Sequence, residues 1–374
     1  MQYSTFAAID IGSYDVILEI FEISKKQGIR SVDKICHRME LGKDTYTLGK
    51  IRPEMEEELC RVLADFVRIM EGYRVDDYRA TASSAISEAS NSLYVLGKIH
   101  QLTGLSVTVL SNSEQRFLSY KALAAMEDNF NKIIEKGTAI LDLDGGSFQI
   151  SLFDKDALVT TQNIRMGSLR IRERLAGIQS ETEHYEEMVE ELIWNEVSSF
   201  KKMYLKDRKI ENIMLIGDVF TDSVYQNIEE KTTKIISREN FNTWYEKIIR
   251  QSPMELAVKL GIPLENASLM YPSAVIYKCL IDMMGAEHIW IPGVHMTRGI
   301  AYEYAEQMKL LKGGHNFEND ILMAAKNIGK RYAVNRPHVQ NLEMTALAMF
   351  DATKKDARYE RARTAASPDG SDAA

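Results

Sequence analysis

The feature that most constrains the fold of this chain is a strand–turn–strand pattern that occurs twice. It is found in FAAIDIGSYDVILEIFEI at residues 6–23 and again in TAILDLDGGSFQISLFD at residues 138–154. In each copy an apolar run reaches an aspartate, a turn of glycine and serine follows, and alternating apolar residues resume. Two similar hairpins so far apart predict duplicated α/β halves that face each other.

The segments between and after the hairpins carry helical and strand patterns in turn. Apolar residues recur at helical spacing in residues 52–73 and 183–204, whereas residues 105–111 and 211–220 are typical of short buried strands. From about residue 313 the periodicity is helical only, and it decays into small polar residues that predict disorder. The pattern therefore predicts α/β domains followed by a helical extension.

Composition and charge narrow the functional classes. The chain has 374 residues, a formal net charge of −8 and three cysteines without metal-type or paired spacing. The acidic balance argues against a nucleic-acid polymer as partner, and the cysteine usage predicts a reducing, cytoplasmic location. The N-terminus lacks the pattern of a signal peptide. The most apolar long window contains Pro272, Lys278 and Asp282, which predicts a buried helix and no membrane association.

The turns of the two hairpins carry residues suited to phosphate chemistry. Glycines let backbone N–H groups approach phosphate oxygens, a serine hydroxyl adds a donor, and an aspartate can hold a magnesium ion or its water shell. A single copy is equally typical of an ordinary β-hairpin turn. Two copies in matched contexts favour a phosphate and magnesium site.

Glu114 is a further candidate, since it lies in the first turn of a predicted helix directly after a strand. An acid in that place complements the helix dipole, and Ser111 or Ser113 could cap the helix. A carboxylate at the mouth between two domains could instead take a proton from an attacking water. Position alone favours the structural role.

Four segments resemble the exopolyphosphatase/guanosine pentaphosphate phosphohydrolase (Ppx/GppA) family. AIDIGSYDV is similar to the family's Asp-x-Gly-Ser-Asn-Ser hairpin, and VLSNSEQRFLSYKAL aligns without gaps on its Ser-Gly-x-Glu-Glu-Ala-Arg-Leu stretch. LDLDGGSFQI is similar to its Asp-x-Gly-Gly-Gly-Ser-x-Glu hairpin, and MGSLRIRERL to its Gly-x-x-Arg-Leu-x-Glu segment. The resemblance covers roughly residues 1–310.

The resemblance implies two actin-like (ribonuclease H-like) domains around a central cleft, at residues 1–125 and 126–309. Residues 310–374 would form a helical extension similar to the start of an HD-type domain, with a disordered end. The implied activity is magnesium-dependent hydrolysis of a terminal phosphoanhydride in inorganic polyphosphate or guanosine pentaphosphate. A homodimer is compatible with it.

The resemblance also assigns roles to individual residues. Glu114 would be the general base, and Asp10 and Asp142 would hold Mg²⁺. The phosphate-binding residues would be Gly12, Ser13, Gly145, Gly146, Ser147 and Gln149.

The chain departs from the family pattern at several of these places. Positions where the family has asparagine or arginine hold Tyr14, Ser87 and Phe117. Amides replace acids at Gln115 and Gln149, and acids are added at Asp144 and Asp218. These changes predict weakened catalysis. The alternative function is therefore a catalytically impaired member that binds a phosphorylated ligand, with a sugar or acetate kinase of the same superfold as the third and less supported reading.

Overall fold

The computed structural model describes residues 3–126, 130–155, 157–176, 185–206, 208–227, 235–311 and 317–353. Residues 1–320 form one compact unit, and residues 321–374 form another. The two β-sheets formed by the described residues belong to the first unit. Within the described part of the chain, no helix has the length and apolarity needed to cross a membrane.

The first sheet is built from residues 4–109 and has five strands. Its elements and the following helix are β1 (Ser4–Ile11), β2 (Asp15–Ser24), β3 (Gly28–Arg38), α1 (Leu41–Leu48), α2 (Pro53–Tyr73), β4 (Asp77–Ala82), α3 (Ser84–Ser87), α4 (Ser92–Thr103), β5 (Val107–Val109) and α5 (Asn112–Met126). The strand order is β3-β2-β1-β4-β5, with an antiparallel meander on one side and parallel pairs on the other. The central strand β1 is apolar on both faces because helices cover both.

The second sheet repeats this arrangement with one added edge strand. Its elements are α6 (Phe130–Ile134), β6 (Thr138–Leu143), β7 (Phe148–Asp154), β8 (Ala157–Ile164), α7 (Ser168–Leu175), α8 (Tyr185–Phe200), β9 (Asn212–Ile216), α9 (Val219–Asn227), β10 (Ile235–Ser237), α10 (Arg238–Ile249), α11 (Pro253–Leu260), α12 (Leu264–Met284) and β11 (His288–Trp290). A π-helical turn, Lys201–Leu205, continues α8. The strand order is β10-β11-β9-β6-β7-β8, so β8-β7-β6-β9-β11 matches the order of the first sheet.

The chain returns to the first sheet after β11. Helix α13 (Met296–Gln307) packs against α5 and β1, where the rings of Phe6 and Tyr304 stack with centroids 4.1 Å apart. Gly299 allows the helices to approach closely, because a Cβ there would lie 2.1 Å from the Leu118 carbonyl oxygen. This return places the residues just before α13 near the ends of β1 and β2. The domain boundaries predicted at residues 125 and 309 stay predictions.

Within residues 317–353, the structure describes two helices, α14 (Phe317–Arg331) and α15 (Arg336–Thr353). The predicted helical extension is thus confirmed over these residues. The end predicted to be disordered, residues 354–374, lies outside the described residues.

Candidate phosphate and magnesium site

The aspartates of the two hairpins line one cavity. Asp10 is the penultimate residue of β1 and Asp142 the penultimate residue of β6, and these strands hold equivalent places in their sheets. The cavity has a volume of about 250 Å³, and Asp15 and Asp144 also line it. The structure therefore brings together the two residues predicted to hold Mg²⁺, and it adds two more carboxylates beside them.

Crowding and burial change the acidity of these carboxylates. Burial, with the nearby charges of Asp15 and Asp144, raises the pKa of Asp10 to about 8. Burial raises the pKa of Asp142 to about 7, although Ser119 Oγ donates a 2.6 Å hydrogen bond to it. A bound divalent cation would relieve this repulsion, because it favours the ionised form of each carboxylate.

The two glycine turns contact each other at the edge of the cavity. Gly12 lines the cavity, but Ser13 is fully buried and its Oγ lies 2.8 Å from the Tyr46 hydroxyl. That hydroxyl is also 2.9 Å from Ser84 Oγ, and a Cβ on Gly146 would lie 2.1 Å from it. The Tyr46 hydroxyl thus fills space between the turns where a phosphate is predicted. A phosphate at this place requires Tyr46 to move.

The rest of the second turn is buried in the same contact. Gly145 donates a 2.6 Å hydrogen bond to Asp144 Oδ1, and a Cβ on Gly145 would be 3.0 Å from Ser13 Cβ. Ser147 is buried and accepts a hydrogen bond from the Asp144 amide through its carbonyl oxygen. The roles of Gly145, Gly146 and Ser147 in phosphate binding stay predictions.

Further contacts hold the two halves together around the turns. Tyr14, at the turn position where the family has asparagine, packs into the apolar core of the second sheet. Arg170 donates to the Gly146 carbonyl oxygen at 2.8 Å and lies over the Tyr46 ring at 3.8 Å. Its guanidinium also pairs with Glu88 at 3.0 Å. Tyr14 and Arg170 therefore stabilise the closed contact of the turns.

A Gly146→Ala substitution is expected to destabilise the fold by about 1–3 kcal/mol, the usual cost of overpacking. The added Cβ would meet Tyr46 and Ser84 hydroxyl oxygens at 2.1 and 2.4 Å. Equilibrium urea unfolding measures the free energy, with Gly72→Ala as a control, because a Cβ at Gly72 meets open space. Adding Tyr46→Ala should recover part of the loss. Equal stability of Gly146→Ala and wild type would contradict this packing.

Glu114 and its neighbour Gln115 have different surroundings. Glu114 Oε2 accepts a 2.7 Å hydrogen bond from the Ser111 amide, and the Glu114 amide donates to Ser111 Oγ at 3.3 Å. This reciprocal pair is a capping box at the start of α5. Gln115 is buried, lines the cavity and hydrogen-bonds to Asp144. Glu114 as general base stays a prediction, and the contacts of Glu114 support the capping role.

Gln149 lies directly opposite Asp142 in the β6–β7 pair, so the two side chains share one face of the sheet. Gln149 is only 3% exposed, and its Oε1 has no hydrogen-bond partner among the described residues. A buried amide oxygen without a hydrogen-bond partner destabilises the fold unless a ligand, ion or water binds to it. Its place beside Asp142 suits an acceptor of a hydrogen bond from a magnesium-bound water or from a protonated phosphate oxygen.

Asp218 does not contribute its charge to the cavity wall. Its Oδ1 accepts a 3.1 Å hydrogen bond from the Thr221 amide at the start of α9, and it lies 3.3 Å from the Tyr277 hydroxyl. The expected weakening of phosphate binding by this added acid is therefore not supported by its position. Asp218 is a buried helix cap.

Several residues of the cavity wall were missed by sequence reasoning. Lys34, Cys36 and Arg38 come from β3, and Asp222 and His295 come from α9 and the residue before α13. The sequence gives only one indication of this wall: Lys34, Cys36 and Arg38 are alternate residues of a strand, so their side chains lie on one face of it. Which face meets a cavity depends on contacts far away in the sequence.

Comparison with known proteins agrees with this architecture. The exopolyphosphatase of Cytophaga hutchinsonii superimposes with a TM-score of 0.72 at 17% identity, over 81% of this chain and 98% of that one. A Ppx/GppA family member of Aquifex aeolicus gives a TM-score of 0.67 at 17% identity, over 82% and 99% of the two chains. The predicted actin-like α/β fold with two domains and a helical extension is confirmed.

Curated relatives match this chain over only part of their own length. A bifunctional 3-dehydroquinate synthase/phosphatase of Fusobacterium nucleatum is 21% identical over 310 residues, which cover 76% of this chain and 44% of that protein. Exopolyphosphatase 1 of Mycobacterium leprae is 25% identical over 144 residues, or 38% and 41% of the two chains. This chain thus spans less than half of the length of either relative. The sequence profile of the Ppx/GppA phosphatase family matches residues 19–308, and the chain belongs to that family.

Proposed function

We propose that this protein binds a magnesium-complexed phosphoanhydride in the cavity and slowly hydrolyses its terminal phosphoryl group. The observation that carries the proposal is the convergence of Asp10 and Asp142, from equivalent strands of two sheets, on one cavity. Membership of a phosphatase family supports the reaction class. The mycobacterial relatives are exopolyphosphatases, so inorganic polyphosphate is the first substrate to test and guanosine pentaphosphate the second. The cysteine usage supports a cytoplasmic location.

The donor set of the cavity fits magnesium. Its carboxylates are hard oxygen ligands. Gln149 does not line the cavity, but it lies opposite Asp142, and its buried amide oxygen has no hydrogen-bond partner among the described residues. No ready-made cluster of three or more metal-binding side chains is present in the described ranges. Asp10 and Asp142 would therefore hold the ion together with water and substrate oxygens, which is usual for Mg²⁺. When bound, magnesium neutralises charge on the phosphate oxygens.

The side chains of this protein would mainly position the phosphoanhydride and the attacking water, and they would contribute little to removing the proton of that water. A water oxygen would bond to the terminal phosphorus, the bridging P–O bond would break, and the water proton would leave to solvent or a cavity carboxylate. Phosphoryl transfer depends mainly on positioning and charge neutralisation, so it can proceed without a strong base. The amides of Gln115 and Gln149 hold no proton-accepting charge, and this explains the slow rate that we propose.

A second candidate function is binding of a phosphorylated ligand without turnover. Two observations favour it: Gln115 stands in the cavity where a carboxylate could act, and the Tyr46 hydroxyl fills the contact between the turns. In this case ligand binding would change the closed contact and act as a signal. Turnover separates the two candidates.

Phosphate release from long-chain polyphosphate, tripolyphosphate and guanosine pentaphosphate tests the proposal. The wild-type protein should release phosphate in the presence of Mg²⁺, slowly, and should release none in EDTA. Binding of tripolyphosphate without any release over many hours would support the second candidate. Neither binding nor release with any of the three would refute both.

Gln149→Glu is expected to raise magnesium-dependent turnover about 10-fold, which is less than the roughly 100-fold or more that one general acid or base usually contributes. A carboxylate beside Asp142 would hold magnesium more tightly and orient water, whereas the amide has one acceptor oxygen and no charge. Steady-state kinetics of the two proteins measure the effect. Gln162→Glu is a control, since Gln162 lies on the adjacent strand opposite Ile150, whereas Gln149 lies opposite Asp142. An unchanged rate for Gln149→Glu would remove this position from the catalytic account.

A further inference from the structure

One wall of the cavity is formed by the β2–β3 hairpin. Lys34, Cys36 and Arg38 are alternate residues of β3 and line the cavity together. The register places Arg38 opposite Asp15 and Cys36 opposite Ile17, and both partners line the same wall. A continuous face of two strands therefore borders the cavity beside the carboxylates of Asp10 and Asp142.

Two cations lie on this wall. Arg38 Nη1 donates to Asp15 Oδ2 at 3.0 Å, and the guanidinium lies 5.5 Å from the centroid of the Tyr14 ring. These contacts fix the position of Arg38 while 37% of its side chain remains exposed. Lys34 Nζ forms no ion pair with any residue that the structure describes. Its charge is therefore free for a ligand.

Lys34 and Arg38 are the main positive charges of this region. His295 Nε2 lies 3.5 Å from Asp222 Oδ1, and burial lowers the pKa of His295 below its ordinary value. His295 is thus neutral near pH 7. The cavity is lined by the carboxylates of Asp10, Asp15, Asp142 and Asp144 and, on β3, by the cations of Lys34 and Arg38. A ligand in which a metal-bound phosphoryl group is followed by further phosphates matches this combination of carboxylates and cations.

We propose that Lys34 and Arg38 bind the phosphates distal to the magnesium-bound group and set the preference for a polyanionic tail. In this chain β3 would supply the cations that are missing at Ser87 and Phe117. Phe117 does not line the cavity and lies under Lys121, with Nζ 5.0 Å from the ring centroid. This inference rests on the proposed function, because it assumes that a phosphoanhydride enters the cavity.

Calorimetric titration with magnesium tripolyphosphate and magnesium pyrophosphate tests the inference. Lys34→Met and Arg38→Met should each weaken tripolyphosphate binding roughly 10-fold, the size expected of one charge-assisted contact. Pyrophosphate has no third phosphate, so its affinity should fall much less. Arg38→Lys should keep most of the affinity. Arg30→Met is the matched control, because Arg30 is on the same strand, 61% exposed and outside the cavity.

The outcomes separate this inference from the proposed function. Wild-type binding of tripolyphosphate that is unchanged in Lys34→Met and Arg38→Met would overturn the inference alone. Equal losses for tripolyphosphate and pyrophosphate would also overturn it, because the cations would not then act on a distal phosphate. No binding of either ligand by the wild type would overturn the proposed function itself. Circular dichroism and thermal unfolding verify that each variant is folded. If Arg38→Met does not fold, Lys34→Met and Arg38→Lys are used for the comparison instead.

Discussion

Asp142→Asn should lower magnesium-dependent phosphate release by roughly 100-fold or more and should also make the metal-free protein more stable above pH 7. The loss follows from removing one of two charged magnesium ligands from the site of phosphoryl transfer. The gain follows from burial, which raises the pKa of Asp142 to about 7. A site that holds charge for function is less stable without its ion.

The direction in which pH changes the stability follows from the difference between the pKa of Asp142 in the folded and in the unfolded protein. An aspartate with a folded pKa of about 7 and an ordinary value of 3.8 binds its proton more tightly in the folded state. Its stabilising effect is full below about pH 4 and is lost as the pH rises through about 7. Asparagine does not ionise, so Asp142→Asn escapes this loss.

Thermal unfolding in EDTA at pH 5 and pH 8 measures this second effect. The unfolding midpoint of Asp142→Asn should exceed that of the wild type by roughly 2–4 °C at pH 8, with a smaller difference at pH 5. Asp65→Asn is a control, because Asp65 is 57% exposed. A variant that is less stable than the wild type at pH 8, or equally active with magnesium, would contradict the role given to Asp142.

Gln115→Glu should raise magnesium-dependent turnover by about 100-fold, within the range of general base catalysis. Gln115 is buried on the cavity wall beside Asp144, and a carboxylate there would have a raised pKa suited to accepting a proton. Initial rates of phosphate release from tripolyphosphate, measured from pH 5.5 to 8.5, give the size of the gain. The new rate should rise with pH through the pKa of the introduced acid.

Glu114→Gln is the matched control at the adjacent residue. It removes the charged acceptor of the Ser111 amide at the start of α5, so it should cost roughly 1 kcal/mol of stability. Turnover should stay within twofold of the wild type. A Glu114→Gln protein of normal stability without activity would identify Glu114 as the base and would contradict the capping role.

The repeated hairpins were predictable because their signals are local. An apolar run, a glycine turn and a period of two fix each hairpin within about 18 residues, and their repetition indicates a duplicated sheet. The convergence of Asp10 and Asp142 follows from that duplication. For the same reason the helical segments after residue 313 were found, since helical periodicity is also local.

The details of the site depend on orientation and on distant contacts. Neighbouring helix residues point about 100° apart, so sequence alone did not show that Gln115 rather than Glu114 lines the cavity. Tyr46 meets Ser13 and Gly146 only when the two halves come together, and no pattern near Tyr46 indicates this contact. The cations of β3 alternate visibly, but their role depends on which face of the hairpin borders the cavity.

A single-turnover experiment tests the central claim most directly. Excess wild-type protein is mixed with tripolyphosphate carrying labelled terminal phosphate, and bound and released label are followed over hours with Mg²⁺ and with EDTA. We expect the label to bind in the presence of Mg²⁺ and then to be released as free phosphate, slowly in the wild type and much faster in Gln115→Glu. Label that never binds, or that is released equally in EDTA, would contradict magnesium-dependent hydrolysis in this cavity.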